Sequence, residues 1–334
     1  MNPILEKAKV KRGAINFASS EIEVIVDENG VPISFEQRTQ RTAEKIIENC
    51  MLLANETIAK AIACLDMPFS YRVHEAPDML KFKNTIEYIR SYKLVPDSLL
   101  NKILEKALNE ELRSYDLQNL LHELEGKPYY ALISDMLLRS MNKAIYSTKN
   151  LGHYAVALRH YTHFTSPIRR LCDFTVHRLL KVYNTYENIE ENVKDLGEIC
   201  SHASYTERQA EKAEREAIKL KMAEYMEEHV GKVFKAKVVS CNPYGLVVVL
   251  DNNVKGYVAF KDILDGFYIY GEQSHQLINK ADRSKNYRIG DKIYVMVKEA
   301  SKEDRYVNFY ASKEYIYENP KVKKYRREYK DSSK

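Results

Sequence analysis

The chain has 334 residues, 45% of them hydrophobic and 30% charged, enough for one large or two ordinary globular domains. Its net charge of +5 is too small to identify a partner by itself, and its five scattered cysteines (Cys50, Cys64, Cys172, Cys200, Cys241), odd in number and without CxxC spacing, argue against a disulfide framework or a zinc ribbon. They point to a reduced, cytoplasmic setting, and the absence of a long apolar run argues against a membrane span.

In chain order, Ile22–Val26, then Asp27-Glu28-Asn29-Gly30, then Val31–Phe35 read as a β-hairpin, with Asn-Gly supplying the positive φ of a tight turn. Thr42 is expected to cap a helix from Ala43 to about Cys64, where Ile46, Ile47, Met51, Leu52, Ala54 and Ile58 recur at helical spacing. Pro68 and Pro77 bracket an extended piece around Tyr71–His74. Asp78–Glu125 reads as helical with a break at Pro96, and Tyr130–Tyr146 as one further helix. Ser166-Pro167 is expected to open a helix to about Tyr183, and Ser201–His229 is a long charged helix free of Gly and Pro.

After Gly231 the texture changes. Val233–Val239, Gly245–Leu250, Gly256–Phe260, Lys292–Val297 and Tyr306–Tyr310 are short β-branched or aromatic runs between turns, the pattern of a small five-stranded barrel. The expected fold is α+β: a mostly helical part over residues 1–230, an OB-type β-barrel over 231–313, and a basic tail over 314–334 that includes Lys321–Arg327.

Tyrosine is abundant (25, with 10 Phe and no Trp), and its flat face with a polar tip suits base stacking as well as burial. The segment richest in chemistry is His160-Tyr161-Thr162-His163-Phe164-Thr165-Ser166-Pro167-Ile168-Arg169-Arg170, continuing to Asp173 and His177-Arg178. Ser166 or Thr165 as N-cap with Pro167 at the first helical position would present free amides, an anion site, beside two guanidinium forks. The competing reading is a capped helix whose arginines pair with acids such as Asp173. A zinc site from His160, His163 and His177 or Cys172 fits no common ligand spacing.

That segment closely resembles the signature of the ribonuclease II/ribonuclease R family of 3′→5′ exoribonucleases, in the later half of the catalytic RNB domain. Arg12-Gly13-Ala14-Ile15-Asn16-Phe17, the stretch from Ile47 to Glu56, Tyr71–Pro77, Leu138-Arg139-Ser140-Met141 and Ala213–Glu216 resemble the family in the same order, and the Arg-x-His-x-x-Pro run favours the ribonuclease R branch. The end resembles its S1 RNA-binding domain. The resemblance implies processive hydrolysis of single-stranded RNA from the 3′ end to nucleoside 5′-monophosphates by two metals, usually Mg2+, on clustered aspartates. Those aspartates precede the region where this chain starts. The 15 aspartates here are dispersed, so the chain alone is expected to be inactive, with a separate catalytic half as a possible partner. The alternative is a non-catalytic single-stranded-RNA-binding module.

Two catalytic positions carry over by resemblance: Arg169, which contacts phosphates next to the scissile bond, and Glu214, which supports turnover. Arg170 is a further RNA-binding candidate. In the barrel, Tyr244-Gly245-Leu246-Val247 resembles the aromatic-glycine strand that stacks bases, and Tyr244, Tyr257 or Phe260 is expected to stack while Lys235, Lys237, Lys255 and Lys261 meet phosphates. Ala259 stands where the family usually has His, which removes one RNA-facing side chain.

Overall fold

The computed structural model describes all residues except 1, 18–20, 92, 94, 128–129, 272–275 and 317–334. The Lys321–Arg327 run therefore lies outside the described residues. Its elements run α1 (Asn2–Lys11), β1 (Ile22–Val26), β2 (Pro32–Gln37), α2 (Thr42–Cys64), β3 (Tyr71–Val73), α3 (Met79–Ser91), α4 (Asp97–Leu108), α5 (Ser114–Leu124), α6 (Tyr130–Ser140), β4 (Ile145–Ser147), α7 (Leu171–Thr185), α8 (Ile189–Val193) and α9 (Leu196–Glu227). Then follow β5 (Val233–Asn242), β6 (Gly245–Leu250), β7 (Lys255–Ala259), β8 (Tyr268–Gly271), β9 (Gln276–Asn279), β10 (Lys292–Ser301) and β11 (Tyr306–Ser312). The mixed α and β composition agrees with the expected class.

Contacts divide the chain into two compact units, Met1–Ala18 with Thr39–Glu211, and Ser19–Arg38 with Lys212–Lys334. The β1–β2 hairpin and the later part of α9 thus group with the barrel, whereas the change of sequence texture lies near residue 230.

In the first unit, the amphipathic helices α3 to α6 bury Phe82, Ile86, Leu100, Ile103, Leu117, Leu120, Ile133 and Leu137 in one core. A second core joins α2, the antiparallel pair β3–β4, α7 and the start of α9 through Ala59, Phe69, Tyr71, Tyr146, Val176, Leu179 and Cys200. Several sequence expectations shift here. Thr42 is the first helical residue rather than the cap, because Arg41 takes the cap position and its amide donates to Glu44 Oε2 at 2.8 Å. The Asp78–Glu125 stretch breaks a second time at 109–113, where Glu110 takes a positive φ of 58°. The helix expected to run to Tyr146 ends at Ser140, and Ile145 and Tyr146 instead pair with Val73 and Arg72 as β4. The helical spacing of Met136, Leu137, Met141 and Ile145 that suggests one helix cannot register a strand partner some 70 positions away.

In the second unit, the hairpin turn is closed by Asp27, whose Oδ1 accepts the amides of Asn29 and Val31, while Gly30 supplies φ +77°. Phe35 is buried edge-on against Tyr225 of α9, and its carbonyl accepts from Asn253 Nδ2. The five expected strands form a closed barrel in the order β10-β11-β7-β6-β5. Alternation decides its inside: Leu246, Val248 and Leu250 are buried, whereas Val247 and Val249 stay half-buried on the outside. Gly245 is required where β6 meets β7, because a Cβ there would lie 2.0 Å from the Val258 carbonyl oxygen. The β8–β9 hairpin between β7 and β10 was not foreseen. It is held by Asp265, which accepts from the hydroxyls of Tyr268 and Tyr287 and from the Lys313 amide.

Candidate nucleic-acid interface

The segment from His160 to Arg170 is fixed from several sides. The Asn55 amide group of α2 accepts the Phe164 amide at 3.0 Å and donates to the Tyr161 hydroxyl at 3.2 Å. Thr162 donates to the Ser70 carbonyl, and the Tyr146 hydroxyl meets His163 Nδ1 at 2.8 Å. Burial first, then the nearby Arg170 and Arg72, push the His163 imidazole down to about 2, so it stays neutral. Arg72 itself grips Glu207 through two bonds of 2.6 and 3.0 Å and lies over the Tyr146 ring.

The expected helix start at Ser166 is corrected. Residues 167–169 form a turn in which the Arg169 and Arg170 amides both donate to the Ser166 carbonyl, and α7 begins only at Leu171 with Arg170 as its cap residue. The physical cause is Asp173 in the first turn of α7. Its fully buried carboxylate accepts the Ser166 amide at 2.8 Å and two bonds from Arg170 at 2.9 and 2.7 Å. The anion drawn to this helix start is therefore the chain's own. Arg170, offered as an RNA ligand, has its guanidinium committed to that pair. Arg169 is exposed and makes no ion pair among the described residues. Neither Thr165 nor Ser166 caps a helix.

The histidines find separate partners: His177 stacks on Phe164 at 4.2 Å and bonds its carbonyl, His160 meets Asn150, and Cys172 is buried beside Cys200. Among the described residues, no group of three His, Cys, Asp or Glu side chains is placed to hold a metal ion. The described residues do not fit a two-metal centre.

A cavity of about 930 Å³ opens in the first unit. Lys11, Arg12, Arg113 and Arg159 line it, against the single carboxylate of Glu75. In its wall His74 and His153 stack with ring centres 5.0 Å apart. Burial lowers both, His153 to about 3, so neither adds charge. His153 Nδ1 is buried without a partner. Sequence reading named none of these cations as a ligand. Arg12 opens the Arg12–Phe17 motif and Arg159 directly precedes His160, which were the available signals, while nothing local marks Arg113.

In the second unit a groove of about 590 Å³ brings three sequence candidates together: Glu214 of α9 with Lys255 and Tyr257 of β7. Ile218, Met222 and Val247 give it apolar walls, and Arg305 and Tyr306 border it. Tyr244 is 78% exposed at the β5–β6 turn, and its carbonyl accepts the Phe260 amide. Burial and the neighbouring Tyr244 raise the Tyr257 phenol. Lys235, Lys237, Lys255 and Lys261 are all exposed, and Phe260 is half-buried. Arg169 and Glu214 belong to different units.

A family description, RNB domain, matches residues 1–186, and S1 RNA binding domain matches residues 227–312. The chain belongs to the RNB family. Among curated relatives of this RNB chain, Ribonuclease R 1 of Lactococcus lactis is 36% identical over 92% of this chain and 37% of its own length. Ribonuclease R of Thermotoga maritima is 39% identical over 90% of this chain and 42% of its own. The chain thus spans about two fifths of the length of these relatives. Among solved structures, apo RNase R of Mycoplasma genitalium superposes with a TM-score of 0.82 at 28% identity, covering 92% of this chain and 48% of that one. The same RNase R, solved in complex with ribose methylated single-stranded RNA, gives 0.82 at 27%, with the same coverage of both chains. No described helix of the RNB-family chain is long and apolar enough to cross a membrane.

Proposed function

We propose that this chain grips single-stranded RNA near its 3′ end as part of a cytoplasmic 3′→5′ exoribonuclease of the ribonuclease R type. The observation that carries this is the cavity whose rim holds Lys11, Arg12, Arg113 and Arg159 against one carboxylate. Four cations around a concave surface suit a polyanion, and backbone contacts of this kind tolerate any sequence. The RNA bound to the Mycoplasma relative supports the substrate class.

Within this reading, Arg169 contacts the phosphates beside the scissile bond. It is exposed and forms no ion pair among the described residues, whereas Arg170 positions the turn that presents it. Glu214 supports turnover from α9. Tyr244, Tyr257 and Phe260 offer stacking faces on the barrel, with Lys235, Lys237, Lys255 and Lys261 as phosphate contacts. Residues 231–313 act as the RNA tether and 1–230 as the channel part. A divalent metal, Mg2+ by family, would activate the water and stabilise the leaving oxygen, but the described residues offer no ligand set for it.

A second reading, single-strand binding without hydrolysis, is favoured by the dispersal of the carboxylates. Incubating the chain with 3′-tailed RNA and Mg2+ or Mn2+ separates binding from chemistry. The expected result is retention of intact RNA. Metal-dependent release of mononucleotides would show that these residues hydrolyse RNA without an aspartate cluster.

A further inference from the structure

Across the barrel wall, the strand registers align one residue from each of four neighbouring strands. Lys292 of β10 faces Lys237 of β5, Lys237 faces Val249 of β6, and Val249 faces Lys255 of β7. Residues paired in register point to the same side of a sheet. Here that side is the outer one, since all three lysines are exposed while their neighbours Ile293, Ala236 and Val238 are buried. None of the three forms an ion pair among the described residues. The carboxylate next to Lys292, Asp291, is already held by Lys313 at 3.2 Å.

Two lysines directly opposite each other cost stability, and among the described residues no ion pair to either one relieves that cost. Three strand spacings put the ends of the row about 14 Å apart, a few nucleotides of an extended strand. At its β7 end the row reaches the groove, which Lys255 lines beside Tyr257 and Tyr306.

We infer that Lys292, Lys237 and Lys255 form a phosphate track across the outer wall of the barrel, along which a single RNA strand runs into the groove beside Tyr257. This rests on the reading that the chain binds single-stranded RNA. Lys292 is its new member. Val249 between the cations leaves room for the backbone, and point charges without arginine forks bind phosphates without selecting bases.

The test is the affinity of the whole chain for a fluorescent oligouridylate over a salt series, for wild type and for Lys292→Gln, Lys237→Gln and Lys255→Gln. Lys280→Gln, exposed elsewhere on the unit, serves as control. Each row variant should flatten the slope of log affinity against log salt by about 0.7, and the control should not. Lys292→Gln should also raise the melting temperature of the free chain by relieving Lys237. If wild type binds and the row variants keep its slope, the track is wrong while RNA binding stands. If wild type does not bind, the reading beneath it fails as well. Polyglutamate binding that depends on the row as strongly as RNA binding does would assign the wall to an acidic protein and overturn the track.

Discussion

Arg170 and Asp173 form a two-pronged ion pair, at 2.9 and 2.7 Å, around a carboxylate with no exposed surface. Removing one partner of such a pair leaves a buried charge without compensation. Asp173→Asn should therefore destabilise the chain by about 3–5 kcal/mol in urea denaturation. A loss within about 0.5 kcal/mol, the range of an ordinary surface change, would mean that the pair does not fix the turn.

Arg169 and Arg170 should separate in their effects. Arg169→Ala should leave stability within about 0.5 kcal/mol of wild type. In an enzyme reconstituted around this chain, Arg169→Lys should lower kcat by about tenfold or more with little change in RNA affinity, because a point charge does not replace the fork. Wild-type turnover in the lysine variant would remove Arg169 from the reacting phosphates.

Acid should weaken the first unit through two histidines. His163 and His153 are held down to about 2 and about 3 when folded, against an ordinary value of 6.5. The unfolded chain therefore binds protons that the folded chain refuses. Their contribution is complete above pH 6.5 and is lost as pH falls below it, at up to about 1.4 kcal/mol per pH unit for each. Urea midpoints measured from neutral pH down to about pH 5 should fall, and less steeply in His163→Gln. An identical pH slope in that variant would contradict the assignment.

Tyr244 is 78% exposed and should matter for RNA rather than for folding. Tyr244→Ala should cost about 1–3 kcal/mol of RNA affinity if one base stacks there. An unchanged affinity would return Tyr244 to the bare surface.

Much of the second unit was legible because strand alternation and turn residues are local. All five barrel runs were located, and Gly30 and Gly245 marked backbone that other residues cannot follow. The first unit was less transparent where distant partners decide. Ser166-Pro167 carries a good helix-start signature, but Asp173 reaches back to the Ser166 amide and makes a turn of it. Tyr146 looks helical until Arg72 pairs with it. The cations of the cavity come from positions 11, 12, 113 and 159, and only folding assembles them. Asp265 ties Tyr268, Tyr287 and Lys313 across nearly 50 positions, which no window of sequence reveals.

The most direct measurement is the affinity of the purified chain for single-stranded RNA across a salt series, with Arg113→Ala and Arg159→Ala beside wild type. The expected result is binding that is indifferent to sequence, weakens steeply with salt, and loses about 0.7 of its logarithmic salt slope with each arginine removed. Absence of binding at low salt, or affinity that both arginine variants retain in full, would contradict it.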